Sequence, residues 1–162
     1  MKQLALAAGV FAVLAANAVW AFDSPVLEIS GKITARPKSG NVYRLSEVQF
    51  RALPQSSITT ATTWTPVSKF TGVKMEEIMR VTGAKGEFAQ FYALDDYSVR
   101  IPVADFKRYG VVLAHSMNHK PLDPNKFGPY FLIYPKDKHP MELNTPTSVA
   151  KFVWQVSRIV FQ

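Results

Sequence analysis

From Val26 onward the apolar residues of this chain come in short runs, VLEISGKI, FAQFYAL, YSVRIPV, VVLAHSM and YFLIYP, separated by Gly, Pro, Asn and Asp. Runs this short between turn residues read as strands, because a helix needs a longer apolar stripe to hold it against a core. One longer stripe exists. In GVKMEEIMRVTG the residues Val73, Met75, Ile78, Met79 and Val81 recur at helical spacing, Glu76 and Glu77 occupy the first turn, and Gly83 fits the stop. A shorter helix begins after a Ser46 cap and ends before Pro54, and ADFKRYG forms another that ends at Gly110. Many strands with a few short helices argue against a parallel α/β sheet and for an α+β domain with mixed β-sheets.

Along the strands the pattern is local. In Val26–Ile33 the residues Leu27, Ile29 and Ile33 share a side, with Gly31 placed for a bulge. FAQFYAL and YSVRIPV flank Asp95-Asp96 as a hairpin. VVLAHSM and YFLIYP are joined by the turn-rich stretch NHKPLDPNKFGP, and the chain closes on FVWQVSRIVFQ. There Phe152, Trp154, Val156, Arg158 and Val160 alternate with Val153, Gln155, Ser157, Ile159 and Phe161. No internal repeat interrupts the stretch 22–162, which reads as one unit.

The first 21 residues, MKQLALAAGVFAVLAANAVWA, have a lysine, an apolar run from Leu4 to Ala16 and small residues at Val19 and Ala21. This is the pattern of a cleavable signal peptide, with cleavage after Ala21, and it predicts a periplasmic protein. Export argues against nucleic acid as a partner. The 19 Lys+Arg against 12 Asp+Glu give a net charge of +7, scattered without a block of one sign, which reads as a solvated basic surface. The chain has no cysteine. That excludes disulfides, thiol nucleophiles, covalent haem attachment, iron–sulfur clusters and thiolate metal ligands.

Catalytic sets are equally scarce. His115 and His119 have a spacing that binds zinc on a helix, but here it runs from a strand into a turn, where the rings do not converge. Asp95 and Asp96 are neighbours in a turn, where Asp is favoured for backbone reasons. No nucleophile elbow or glycine-rich phosphate loop is present, so the reading assigns no catalytic residue and no metal ligand.

The succession TxxTTWTP…FTGVKMEEIM, ALDDYSVRIP, VLAHSMNHKPLDPNKFGPYFLIYP and VWQVSRI resembles the oxidoreductase molybdopterin-binding domain, the sulfite-oxidase fold, in its small exported form. The resemblance covers nearly all of residues 22–162. In that family a cysteine ligates molybdenum a few residues before a tryptophan; aligning Trp64, and Phe70-Thr71-Gly72-Val73 as a turn, puts Thr60 at its position. Threonine does not replace a soft thiolate. The resemblance therefore points to the small pterin-binding proteins of the PruR type. It implies a non-metallated pterin as ligand and a sensing role beside a membrane partner, the periplasmic portion of an inner-membrane diguanylate cyclase/phosphodiesterase that sets cyclic-di-GMP. Two alternatives stay open: a molybdopterin-dependent oxidoreductase or its degenerate relative, and an interaction module whose pocket is empty.

On that reading Trp64 offers a flat face to a bicyclic ring, while Thr60, Thr62 and Thr63 supply hydroxyls beside it; Trp64 as an ordinary core tryptophan is the competing account. Asp96, with Tyr97 and Arg100 close by, is placed to accept from the ring's donor edge while Arg100 donates to its carbonyl; a turn carboxylate paired with a surface arginine fits the same residues. The long loop offers Asn118, Lys126 and Gly128, or is a plain solvent loop. Trp154 either closes the pocket, with Gln155, or belongs to the core.

Overall fold

The computed structural model of the chain describes residues 25–35 and 40–162. The signal-peptide reading of residues 1–21 lies outside these. Strands β1 (Val26–Gly31) and β2 (Tyr43–Ser46) lead into helix α1 (Glu47–Ala52). Ser46 caps that helix in a reciprocal box with Gln49, as a serine followed by a glutamine three residues on should. A hairpin of β3 (Gln55–Thr60) and β4 (Ser68–Lys74) then runs straight into α2 (Met75–Thr82). β5 (Phe88–Ala93) and β6 (Ser98–Pro102) form the expected hairpin, and α3 (Ala104–Tyr109) follows. Next come β7 (Val112–Met117), β8 (Lys120–Pro121) and β9 (Phe131–Ile133). A 3₁₀ turn at Lys136–Lys138 and two single-turn helices, α4 (Pro140–Leu143) and α5 (Pro146–Val149), precede β10 (Val156–Phe161).

These strands make two sheets. The first has the order β2-β1-β10-β5-β6, with β1 and β10 parallel and the other pairs antiparallel. In the second, β3-β4-β7-β8 are antiparallel and β9 adds to β7. The α+β class with mixed sheets thus holds. Leu27, Ile29, Phe91 and Ile159 from the first sheet and Phe70, Val73, Leu113 and Leu132 from the second belong to one core, each fully buried. Burying each such side chain contributes about 1.5–3 kcal/mol.

Four local expectations are corrected. Val73 lies in β4, so the helix begins at Met75; Met75 N–H is held by Val111 O at 2.9 Å. Phe70-Thr71-Gly72-Val73 is strand, not turn. Gly72 is needed there because a Cβ at that position would run into the backbone of Leu113 and Ala114, where the β4–β7 register shifts. Gly31 ends β1 in the left-handed region, φ 87°, packed on the backbone of Phe161, in place of the expected bulge. The bulge sits instead in β10, between Val156 and Arg158, and it breaks the simple alternation read from Phe152 onward. With its phase reset, β10 buries Val156, Ile159 and Phe161.

Candidate functional site

The loop between β3 and β4 carries Trp64, and its threonines explain how. Thr62 Oγ1 accepts from the N–H groups of Trp64 at 3.1 Å and Thr65 at 3.0 Å, and shares a 2.9 Å hydrogen bond with the Thr65 hydroxyl. A local hydroxyl turn of this kind fixes the backbone without a regular ladder. Its consequence is that Trp64 stands out at 41% exposure, not inside the core. Trp154 meets it edge-on with ring centres 4.4 Å apart, and Phe131 backs both at 6.3 and 6.5 Å. Phe127 stacks on Phe131 at 5.3 Å.

The facing wall is the β5–β6 turn. Asp95 Oδ1 accepts from Tyr97 N–H at 3.0 Å, and Asp96 takes φ 65°, a conformation Asp tolerates better than most residues. Leu94 N–H donates to Gln155 O at 3.0 Å and Gln155 N–H to Phe127 O at 3.2 Å, so the turn, the long loop and the Trp154 segment are laced together. Phe152, Val153 and helix α5 complete the enclosure. Lys151 anchors that segment: its Nζ lies 2.7 Å from Asp105 Oδ2, to which Tyr134 Oη also donates at 3.2 Å. Burial, with Asp105 beside it, pushes the Tyr134 phenol up and keeps it a donor.

Between these walls lies a cleft of about 400 Å³ lined by Trp64, Trp154, Asp95 and Tyr97, with Phe152 and Val153. Its size falls within the range of small-molecule pockets, roughly 300–1,000 Å³. Its lining holds aromatic faces and one carboxylate, and no lysine or arginine. A ring with hydrogen-bond donors on its edge suits such a lining, whereas a phosphate tail finds no counter-charge among those residues.

Trp64, Tyr97 and Trp154 meet at this cleft as the sequence suggested, but the other named residues go elsewhere. Asp95, not Asp96, lines it. Arg100 lies over the Phe88 ring, 3.8 Å from its centre, and does not share a site with Tyr97 and Asp96. Asn118 and His119, φ 50° and 66°, form the two-residue turn of the β7–β8 hairpin. The Asn118 side chain is spent there, accepting from Lys69 N–H at 2.9 Å and donating to Ser68 Oγ at 3.3 Å. Lys126 is exposed in the turn that begins at Asp123, and the loop contributes its neighbour Phe127 to the aromatic cluster instead. Gly128 is buried where a Cβ would press on Leu122 O, so its role is packing within the loop. Thr62 is internally bonded, as described. Phe127, Phe131 and Phe152 carried no signal in the sequence beyond their apolarity.

Thr60, four residues before Trp64, is fully buried. Its hydroxyl accepts from Asp137 N–H at 3.2 Å and donates to Ala61 O at 3.4 Å, while Ala61 N–H donates to Asp137 Oδ2 at 2.8 Å. A reciprocal clasp to the 3₁₀ turn thus involves the residue that the resemblance puts in place of a metal-ligating thiolate. The molybdenum part of a molybdopterin cofactor does not fit these residues, since the chain has no cysteine and the threonine hydroxyl is committed inside the protein. Among the described residues no three His, Asp or Glu side chains gather as a metal site. The pterin part has a surface of suitable size and chemistry in the aromatic cleft.

Comparisons with known proteins agree with this architecture. The crystal structure of the sulfane dehydrogenase SoxCD from Paracoccus pantotrophus is similar in fold, with a TM-score of 0.62 at 14% identity. The match covers 84% of this chain and 37% of that one, so the chain spans well under half of that solved protein. No curated protein sequence matches. Residues 33–137 match the model of the oxidoreductase molybdopterin binding domain, and the chain belongs to that family.

Proposed function

We propose that this protein is an exported pterin-binding regulator without redox chemistry, which takes a non-metallated pterin and acts on a membrane-bound, cyclic-di-GMP-metabolising partner in the periplasm. The observation that carries this reading is a contrast across four residues: Thr60, at the end of β3, is sealed by its clasp to Asp137, while Trp64, in the loop that follows, opens onto a ring-sized cleft. In this reading Trp64 and Trp154, packed edge-on against each other, form one aromatic wall against which the bicyclic ring lies, and the Asp95 carboxylate accepts from its amino group and ring N–H. The absence of lysine and arginine from the lining favours pterins without a phosphate. Leu94 and Tyr97, 58% and 52% exposed on the β5–β6 turn that carries Asp95, offer the partner a surface that ligand occupancy would alter. The class of partner is what the resemblance of the sequence to PruR-type proteins implies.

Isothermal titration of residues 22–162 with reduced and oxidised pterins, with and without a phosphate, tests the reading. Saturable binding of the phosphate-free compounds, lost in Trp64→Ala at unchanged melting temperature, is the expected result. No heat with any pterin would remove the sensor role. Membership of the molybdopterin-binding family favours a second reading, an oxidoreductase that holds the whole cofactor without cysteine ligation. Molybdenum co-purifying in stoichiometric amount with the protein from its native host would establish that one in its place.

A further inference from the structure

Each sheet ends in strands with no neighbour on their outer side, and such an open row of N–H and C=O groups takes on another strand unless something blunts it. Most edges of this protein are blunted. β6 carries Arg100 and Pro102, β2 is four residues long and carries Arg44, and β8 is only Lys120-Pro121. β9 is covered, since Leu132 N–H donates to Val153 O at 2.8 Å. β3 is the exception. Its six residues, Gln-Ser-Ser-Ile-Thr-Thr, include no charge and no proline.

The neighbouring strand fixes which backbone groups of β3 face outward. Lys69 of β4 is bound on the side of β7: its O accepts from Asn118 N–H at 2.8 Å, and its N–H donates to Asn118 Oδ1 at 2.9 Å. Met75, at the end of the same strand, donates to Val111 O on that side too. The register shift at Thr71/Gly72 adds a residue to β7, His115, and leaves the alternation of β4 intact. Successive residues of a strand turn to opposite sides, so Lys69, Thr71 and Val73 face β7 while Ser68, Phe70 and Gly72 face β3. In the β3–β4 register Thr60, Ile58 and Ser56 therefore bond to β4. Gln55, Ser57 and Thr59, opposite Val73, Thr71 and Lys69, direct their N–H and C=O groups away from it. Two contacts agree with this assignment. The Ser57 and Thr71 hydroxyls meet at 2.9 Å, as the closer side chains of a pair without ladder bonds do. Ala61 N–H, the next outward group in the series, is taken by Asp137 Oδ2 at 2.8 Å, which closes the edge at that end. From Gln55 to Thr59 the outward backbone groups have no partner among the described residues, and Gln55, Ser57 and Thr59 are exposed.

We propose that this edge is a self-association site, at which β3 pairs antiparallel with β3 of a second copy of the chain about a twofold axis at Ser57. The outward groups are symmetric about that residue. Ser57 then faces Ser57 of the partner subunit, Gln55 faces Thr59 of the partner subunit, and each pair exchanges both hydrogen bonds, so no outward group is left over. Charge favours a second copy over a foreign strand. With a net charge of +7 two copies repel over much of their surface, and β3 lets them meet without setting like charges face to face, as pairing at Arg44, Arg100 or Lys120 would. A charged foreign segment finds no counter-charge on this strand. The contact is small, so the pair is reversible. No residue of β3 lines the aromatic cleft, and the association is independent of pterin binding.

The test is sedimentation of the protein purified from its native host over a range of concentrations, joined to amide hydrogen exchange read by NMR. The expected result is a concentration-dependent dimer in which the Ser57 and Thr59 amides, fast in dilute solution, become protected. The Ile58 and Thr60 amides, bonded to β4, should be slow at both extremes. Ser57→Lys puts a charge on an exposed position and leaves the ladder to β4 intact, so its melting temperature should match the parent while association weakens at least about fivefold at low salt. Ser57→Asp should weaken it likewise, and mixing the two variants should restore the dimer, because the opposite charges then meet at the axis. A protein that stays monomeric up to about 1 mM overturns the proposal. A dimer indifferent to Ser57→Lys overturns the assigned edge, and failure of the mixed variants to associate overturns the register.

Discussion

Thr60, the last residue of β3, and Trp64, in the loop that follows, sit four residues apart and have opposite fates. The threonine, at 0% exposure, spends its hydroxyl on the backbone of Asp137, while the tryptophan at 41% exposure leans only on other rings and faces an open cleft. On the proposed reading this separates two parts of one cofactor's chemistry: the position that the resemblance assigns to the metal ligand is closed by an internal clasp, and the aromatic surface proposed for the ring is open. A soft ligand cannot be mimicked by a hydroxyl, but an aromatic face serves any flat ring.

The sharpest way to break this comparison is to remove what both regions stand on. Phe131 is fully buried behind Trp64 and Trp154, so Phe131→Ala should cost about 3–5 kcal/mol in urea unfolding and take the cleft with it. Next, Thr60→Val should cost about 0.5–1.5 kcal/mol, because the Asp137 N–H loses the hydroxyl that accepts from it, yet pterin affinity should stay within twofold. If Thr60→Val instead weakens pterin binding as much as it weakens the fold, the closed corner and the open cleft are one site. Trp64→Ala reverses the pattern. It should lose roughly tenfold or more in pterin affinity by titration calorimetry, with a melting temperature close to that of the parent. The smallest effect separates neighbours: Asp95→Asn should weaken binding about fivefold, whereas Asp96→Asn and Arg100→Ala should leave it unchanged.

The fold was legible to the extent that its signals were local. Ser46 with Gln49, Gly83 at φ 59° and Gly110 at φ 63° marked helix ends because capping and left-handed turns depend on the adjacent residues. The Asp95-Asp96 turn was legible for the same reason. Val73 was misassigned because its apolar spacing suits a strand and a helix equally well over so few residues. The β10 bulge left no mark, since Val156, Ser157 and Arg158 are ordinary strand residues and only pairing with β5 defines the extra one. At the site, Trp64, Tyr97 and Trp154 were found by their aromatic character. Asn118 and Arg100 were misread because their chemistry suits a ligand, and only neighbours distant in sequence, Lys69 and Ser68 for one and the Phe88 ring for the other, show where it is spent.

By itself the sequence determined the α+β class and the lack of thiol chemistry, because composition and periodicity do not depend on distant contacts; Thr60 at the metal-ligand position is what its resemblance to the family implies. Only the tertiary structure decided that Thr60 is locked to Asp137 and that Asp95 and not Asp96 faces the rings. Each of these joins elements far apart in the chain, and a one-residue change of register or turn exchanges which side chain points inward.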